Sequence, residues 1–360
     1  MDLACDESGS EGERLVGGVT DVFAHASVRL PTEVAAECVQ ELRRQIRSPA
    51  TEYKANHLLR EKNRRTLVWL FGPSGPILGQ ARVHLTDKEF FVVRRIVDLL
   101  VDDADHAASL GLCQGREAWI MAVTLYREGR RGFPRDRWNG FLEAFKYLLR
   151  PRNRRGVWLS VDDFYQVVND LRGRSAGPAE EILGLLPKAR ARLESVLEGL
   201  LDRPGSAPAL NPIIPAIVSA VAYWGADGVP VSIVHDIQTA LTAEHVGQLR
   251  QLFGGPGSGP LTGGPGRARL STVPGLAPAG RLAGLTFVES HLDPRVQVAD
   301  FLAGTARRIA SDTLNRRGDP ELVGLLRPYV DPASIWADEP SWSALAPAPV
   351  SRPGSCCSCG

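Results

Sequence analysis

No apolar run in this 360-residue chain approaches the ~20 residues that a membrane-spanning helix needs, so no membrane partner is expected. Charge of one sign is missing too. Lys and Arg number 42 against 41 Asp and Glu, a net charge of +1, and no global field draws the chain to nucleic acid. Residues 1–9, MDLACDESG, are acidic rather than basic and lack the apolar stretch of a secretory leader. Cysteine is sparse. Cys5, Cys38 and Cys113 lie far apart, as free thiols in a reducing compartment do, and a cytoplasmic location is expected. Cys356, Cys357 and Cys359 crowd the last residues, but three thiols in so short a span do not close a tetrahedral zinc site alone. No phosphate-binding loop occurs: Gly72-Pro73-Ser74-Gly75 lacks the following Lys-Ser and reads as a turn. Ser290, His291 and Asp293 are neighbours in sequence, which is not triad geometry.

What is present is an ordinary globular composition, 44% hydrophobic and 23% charged, long enough for two domains or for one with a large insertion. Leu3 to Asp6 reads as a short strand ending in the turn Glu7-Ser8-Gly9-Ser10, and Val22 to Leu30 as a second strand. Pro31-Thr32-Glu33 opens a helix with Val34, Cys38 and Leu42 on one face and Arg43 to Arg47 in its last turn. Thr66 to Phe71 fits strand or helix, and Glu89 to Leu100 mixes both periodicities. From about Arg116 to Trp224 the pattern is helical, with Pro187 to Leu201 amphipathic. Val231 to Val234 is a short β-branched run with the mark of a central buried strand. A helix follows from Thr242 to about Leu252, then a Gly/Pro-rich flexible loop over 253–280, a strand over Leu285 to Val288, and a helix capped by Asp293-Pro294 that runs to about Thr313. The Pro-, Ala- and Ser-rich tail after Pro332 is expected to be largely disordered. Basic clusters at Arg43-Arg44, Arg60 to Arg65, Arg94-Arg95, Arg127 to Arg137 and Arg150 to Arg155 read mostly as solvated faces; a nucleic-acid groove requires several of them to converge.

Two segments carry chemistry. In Ala4-Cys5-Asp6-Glu7-Ser8-Gly9, acids stand at the end of an apolar strand, where open α/β sheets bind ligands, and bare carboxylates suit a hard cation. Taken alone, Asp6 reads as a turn or cap residue beside glycine rather than as a ligand. In the second segment Gln297, Asp300 and Gly304 fall at i, i+3 and i+7 on one helical face. An acid amid Val298, Phe301 and Leu302 is costly unless paired or metal-bound, and Gly304 asks for close packing or a ligand. Asp236 ends the Val231 to Val234 strand much as Asp6 ends the first. His235 beside it reads as a structural imidazole or as a ligand or base.

The DESG of residues 6–9 and the QVADFLAG of 297–304 resemble the paired signatures of the family catalogued as domain of unknown function 3800. Glu52-Tyr53-Lys54, Ile233-Val234-His235-Asp236 and Phe287-Val288-Glu289-Ser290 look like its intervening motifs. The resemblance covers about residues 1–106 and 226–312. It implies a ribonuclease H-like α/β fold, a mixed sheet flanked by helices, with 107–225 as a large helical insertion and 313–360 as a C-terminal extension. It also implies that Asp6, Glu52, Asp236 and Asp300 meet as catalytic acids, with Asp6, Asp236 and Asp300 binding Mg²⁺ or Mn²⁺. Glu7, Ser8, Lys54, His235 and Gln297 would then support the acids or contact phosphate. Gln238 departs from the pattern, which has a further acid there. A metal-dependent nuclease or phosphodiester hydrolase acting on nucleic acid follows as the expected activity. The alternative is a non-catalytic ribonuclease H-like binding or regulatory module, since a fold alone does not give function.

Overall fold

In the computed structural model, which describes residues 1–10, 15–47, 53–100, 116–149, 160–174, 176–202, 210–239, 241–253 and 280–347, five strands form one mixed sheet in the order β3-β2-β1-β4-β5. β1 (Asp2–Ser8) lies at its centre. It pairs antiparallel with β2 (Val22–Val28), Ala4 facing Val28 and Ser8 facing Ala24. It therefore runs two residues past the end expected at Asp6, into the turn expected over Glu7 to Ser10. β2 pairs antiparallel with β3 (Ala81–Asp87). On the other side β1 runs parallel to β4 (Pro230–Asp236), and β4 parallel to β5 (Arg281–Val288). β4 is interior in pairing, but its burial alternates, so only one of its faces is fully covered rather than both as the β-branched run suggested.

Alternation along the strands assigns each side chain a face. Ala4, Asp6 and Ser8 of β1, with Val22, Ala24, Ala26 and Val28 of β2, face α12 (Pro294–Leu314) and α1 (Thr32–Ile46). The small residues on both sides, Ala24 and Ala26 against Ala299, Ala303 and Ala306, let α12 lie close to the sheet. Leu3, Cys5, Phe23, Val231 and Ile233 point the other way, into the apolar helix α10 (Ile213–Trp224). The last helix of the 107–225 block is thus a covering layer of the sheet, and the core begins near residue 213 rather than 226.

The remaining elements complete the two layers. α2 (Ala55–Leu58) and α3 (Arg64–Phe71) follow α1, and the ambiguous Thr66 to Phe71 run is helical. Glu89 to Leu100 resolves as α4 (Lys88–Leu100), whose buried face joins α5 (Arg116–Gly132), α6 (Arg135–Leu148), α7 (Val161–Arg172), α8 (Pro178–Leu185) and α9 (Arg190–Asp202) in a separate hydrophobic cluster. α11 (Ala243–Leu252) packs on β5. The loop expected over 253–280 falls, but for its first and last residues, outside the described residues, as do Cys113 and the terminal cysteines.

The tail departs most from expectation. After α13 (Pro320–Leu326), residues 330–335 lie along the outer edge of β3, with Val330 bridging Val83 and Ile335 bridging Thr86. Asp331 N–H donates to Val83 O and Ile335 N–H to Leu85 O, each at 2.8 Å. α14 (Glu339–Leu345) follows, and Ile335, Trp336 and Leu345 are buried. Disorder is therefore the wrong reading for residues 333–347: the segment covers a sheet edge that would otherwise be open. Asp331 pins it, accepting from the Ser219 hydroxyl and from Ala333 N–H at 2.9 Å, beside His84 Nδ1 at 3.3 Å and Arg82 at 3.7 Å. Burial pushes this carboxyl up, but His84 and Ser219 outweigh it and hold it well below its ordinary value of 3.8. Its contribution to stability is therefore present above that value and lost as the pH falls below it. Asp331→Ala is expected to cost about 3 kcal/mol in urea denaturation at neutral pH; a cost below about 0.5 kcal/mol would show that the tail is not held there.

Candidate functional site

Parallel pairing of β1 with β4 ends at Cys5 opposite His235. Asp6 and Asp236, one residue further on, therefore stand side by side on the face that α12 covers, and α12 brings Asp300 over the same end of the sheet. Asp6 is 3% exposed. Its Oδ1 accepts from Glu7 N–H at 2.7 Å, which lowers its pKa, but burial, followed by the charges of Glu7, Asp300 and Asp236, pushes it up to about 9. Burial, and then the Asp236 charge, pushes Glu7 up to about 7, opposed by the hydrogen bond from Gln238 Nε2 to Glu7 Oε1. The acids from positions 6, 7, 236 and 300 are thus in one electrostatic neighbourhood. Glu52 lies outside the described residues.

Each acid is steered by local structure. Asp236 Oδ1 accepts from Ser290 N–H at 2.9 Å, which ties the end of β4 to the segment leading into α12. Asp293 caps α12 through Arg295 N–H at 2.9 Å, as the Asp-Pro pair requires. Asp300 lies 3.7 Å from Lys54 Nζ. Gly304 serves packing: a Cβ there would meet Ala55 Cβ at 2.3 Å, so α2 rests directly on α12. Gly9 has φ +89°, and a Cβ on it would meet Val22 O at 2.4 Å and Arg307 Cδ at 2.9 Å. The glycine of DESG lets the chain leave β1 between the β2 backbone and an arginine stem.

On the opposite face, Glu7 meets imidazoles. His235 Nδ1 is 2.9 Å from Asp236 O, and since a carbonyl only accepts, this nitrogen carries the proton. His235 Nε2 then accepts from His25 Nε2 at 3.2 Å, with the rings stacked. Burial lowers the His235 pKa to about 4, so the ring is neutral at pH 7. With both nitrogens engaged, His235 is placed as a neutral backing for Glu7, whose Oε2 lies 3.9 Å away, rather than as a ligand or base. Two other expected supports also take different partners: Ser8 Oγ accepts from Arg307 Nε at 3.0 Å, and Gln297 Nε2 donates to His291 O at 3.4 Å. Sequence reasoning missed Arg307 and His25 and gave Gln238 no role. Arg307 was visible as i+7 from Asp300 on α12, but the other two depend on cross-strand neighbours.

The donors are all carboxylate oxygens, which suit a hard divalent cation, and Glu7 Oε2 is buried without a hydrogen-bond partner. Among the described residues, no three His, Cys, Asp or Glu side chains are already gathered closely enough to hold an ion. The acids therefore fit such an ion in kind and in charge, and would have to draw together around it. Comparison of the chain with protein-family models, curated proteins and solved structures found no match. Nor is any helix among the described residues long and apolar enough to cross a membrane.

Because the folded protein holds the Asp6 proton more tightly than the unfolded chain does, its favourable contribution is complete below the ordinary value of 3.8 and is lost as the pH rises toward 9. Asp6→Asn removes that penalty. In thermal denaturation with chelator, the variant is expected to match the parent near about pH 4 and to exceed it by on the order of 1–3 kcal/mol near about pH 9. A variant less stable than the parent at both values would contradict the repulsion described here.

Proposed function

We propose that this protein is a divalent-cation-dependent phosphodiester hydrolase, a nuclease, built on a ribonuclease H-like sheet. One observation carries the reading: parallel pairing places Asp6 and Asp236 on one face of adjacent strands, directly beneath the helix that bears Asp300. Acids far apart in sequence share one end and one face of a mixed sheet, an arrangement in keeping with what the resemblance to the domain of unknown function 3800 family implies. Their repulsion supplies the reason for a cation, since like carboxylates at close range tolerate one another only when neutralised.

Asp6, which projects from the central strand, would hold the ion together with Asp236 and Asp300. A bound Mg²⁺ or Mn²⁺ supplies Lewis acidity toward the phosphate and lowers the pKa of water. The chain's own residues do the positioning. Ser290 N–H fixes the Asp236 carboxylate and Gln238 fixes Glu7. The His25–His235 pair, neutral at pH 7, places no competing charge in the site. Lys54, half-exposed beside Asp300, is positioned to offset negative charge developing on a phosphate oxygen.

That no three ligating groups are already gathered among the described residues favours one other reading, a binding or regulatory module that keeps the fold without turnover. Manganese titration separates the two. If the site is a cation site, Mn²⁺ at about 100-fold above its dissociation constant stabilises the parent by about 2.7 kcal/mol. The shift disappears in Asp300→Asn, and Asp6→Asn abolishes Mn²⁺-dependent cleavage of a labelled oligonucleotide while the circular dichroism spectrum is kept. A parent protein indifferent to Mn²⁺ would leave the module as the reading.

A further inference from the structure

Beside the acids, the structure contains a cavity of about 580 Å³, bounded by the second half of α12 and by α2, with Asp300 and Ser8 at one end and Arg317 and Asp319 among its other walls. Four cationic side chains line it, Lys54, Arg307, Arg308 and Arg317, against three acids, Asp300, Asp312 and Asp319. The acids are shared. Arg308 and Arg317 both reach Asp312, at 2.7 and 3.6 Å. Asp319 is held from outside the cavity by Arg64 at 2.8 Å. Arg308 and Arg317 are 61% and 69% exposed, so their heads remain open to solvent. Arg307 donates to Ser8 Oγ, two residues from Asp6, and so begins the row next to the acids.

The spacing distinguishes a chain of phosphates from a single one. Asp300 to Arg307 is seven residues, about 10 Å of helix rise, and Arg317 lies beyond the helix end. A phosphate held at the acids does not extend to Arg317; a polymer running along α12 does. Apolar Leu59, Ile309 and Leu322 are also among the walls, and none of the described lining residues is aromatic, so these residues offer bases no stacking platform.

We infer that this cavity is the track of a single nucleic-acid strand, gripped through its phosphates by Arg307, Arg308 and Arg317 and delivered to the acids at Asp300. The inference rests on the phosphodiester reading for what happens at the acid end, but strand binding itself is measurable without turnover.

The test uses the full chain in chelator and a fluorescein-labelled oligodeoxythymidylate, with affinity read by anisotropy between about 50 and 200 mM salt. The parent binds with a negative salt slope. The double variant Arg308→Ala/Arg317→Ala weakens binding by about tenfold or more and makes the slope shallower by about 1.4, ~0.7 for each phosphate no longer neutralised. Lys188→Ala, which removes one exposed charge outside the cavity, leaves both unchanged. No binding by the parent, an unchanged slope in the double variant, or an equal loss in Lys188→Ala would each overturn the inference. Adding Mn²⁺ separates the two readings. A strand bound through these arginines but never cut upholds the track and rejects the hydrolase. Cutting with a KM indifferent to the double variant upholds the hydrolase and rejects the track.

Discussion

Parallel pairing of β1 with β4 beneath α12 is the constraint from which the rest of the site follows. A strand has only two faces, and register decides which one a residue takes. Once Cys5 lies opposite His235, Asp6 and Asp236 must both face the helix, and the helix meets them with Asp300. Asp331 shows what the fold does with an acid it uses for structure: donors surround it and its pKa falls. Asp6 receives a single backbone N–H and three like charges, and its pKa rises. Two buried carboxylates in one sheet assembly are driven in opposite directions by their neighbours. Acids left in costly surroundings mark functional sites more often than structural ones.

The two faces of the sheet divide the work. Toward α10, His25 Nε2 is paired with His235 Nε2 and the Trp224 indole donates to Ser27 Oγ at 2.9 Å within an apolar layer. Toward α12, alanines and Gly304 allow the helix to approach the sheet and α2 closely. Glu7 links the two, taking Gln238 on one oxygen while its second lies near His235. Gln238 donates to Glu7 as a neutral amide and adds no charge of its own to the site.

Much of this was legible in the sequence, where local signals are strong. The β-branched run of β4, its end at Asp236 and the Asp-Pro start of the helix that bears Asp300 lie where pattern and capping place them, whereas β1 continues past Asp6 to Ser8. β3 escaped notice because Ala81–Asp87 passes without a break into α4, so two periodicities run together. The order of residues 333–347 was hidden because Pro, Ala and Ser look uncommitted until a sheet edge offers them hydrogen bonds. α10 looked like one more helix of an insertion, since nothing local reveals that its apolar surface covers β1, β2 and β4. The partners of Glu7 and Ser8 depend on register and helix docking, which one-dimensional spacing does not encode.

The central claim is that a divalent cation resolves the repulsion among these acids, and a crystal soaked in Mn²⁺ tests it most directly. Anomalous difference density is predicted between the carboxylates of Asp6, Asp236 and Asp300, with those side chains drawn toward it. A soaked crystal with no anomalous peak there, and Lys54 still beside Asp300, would contradict the account.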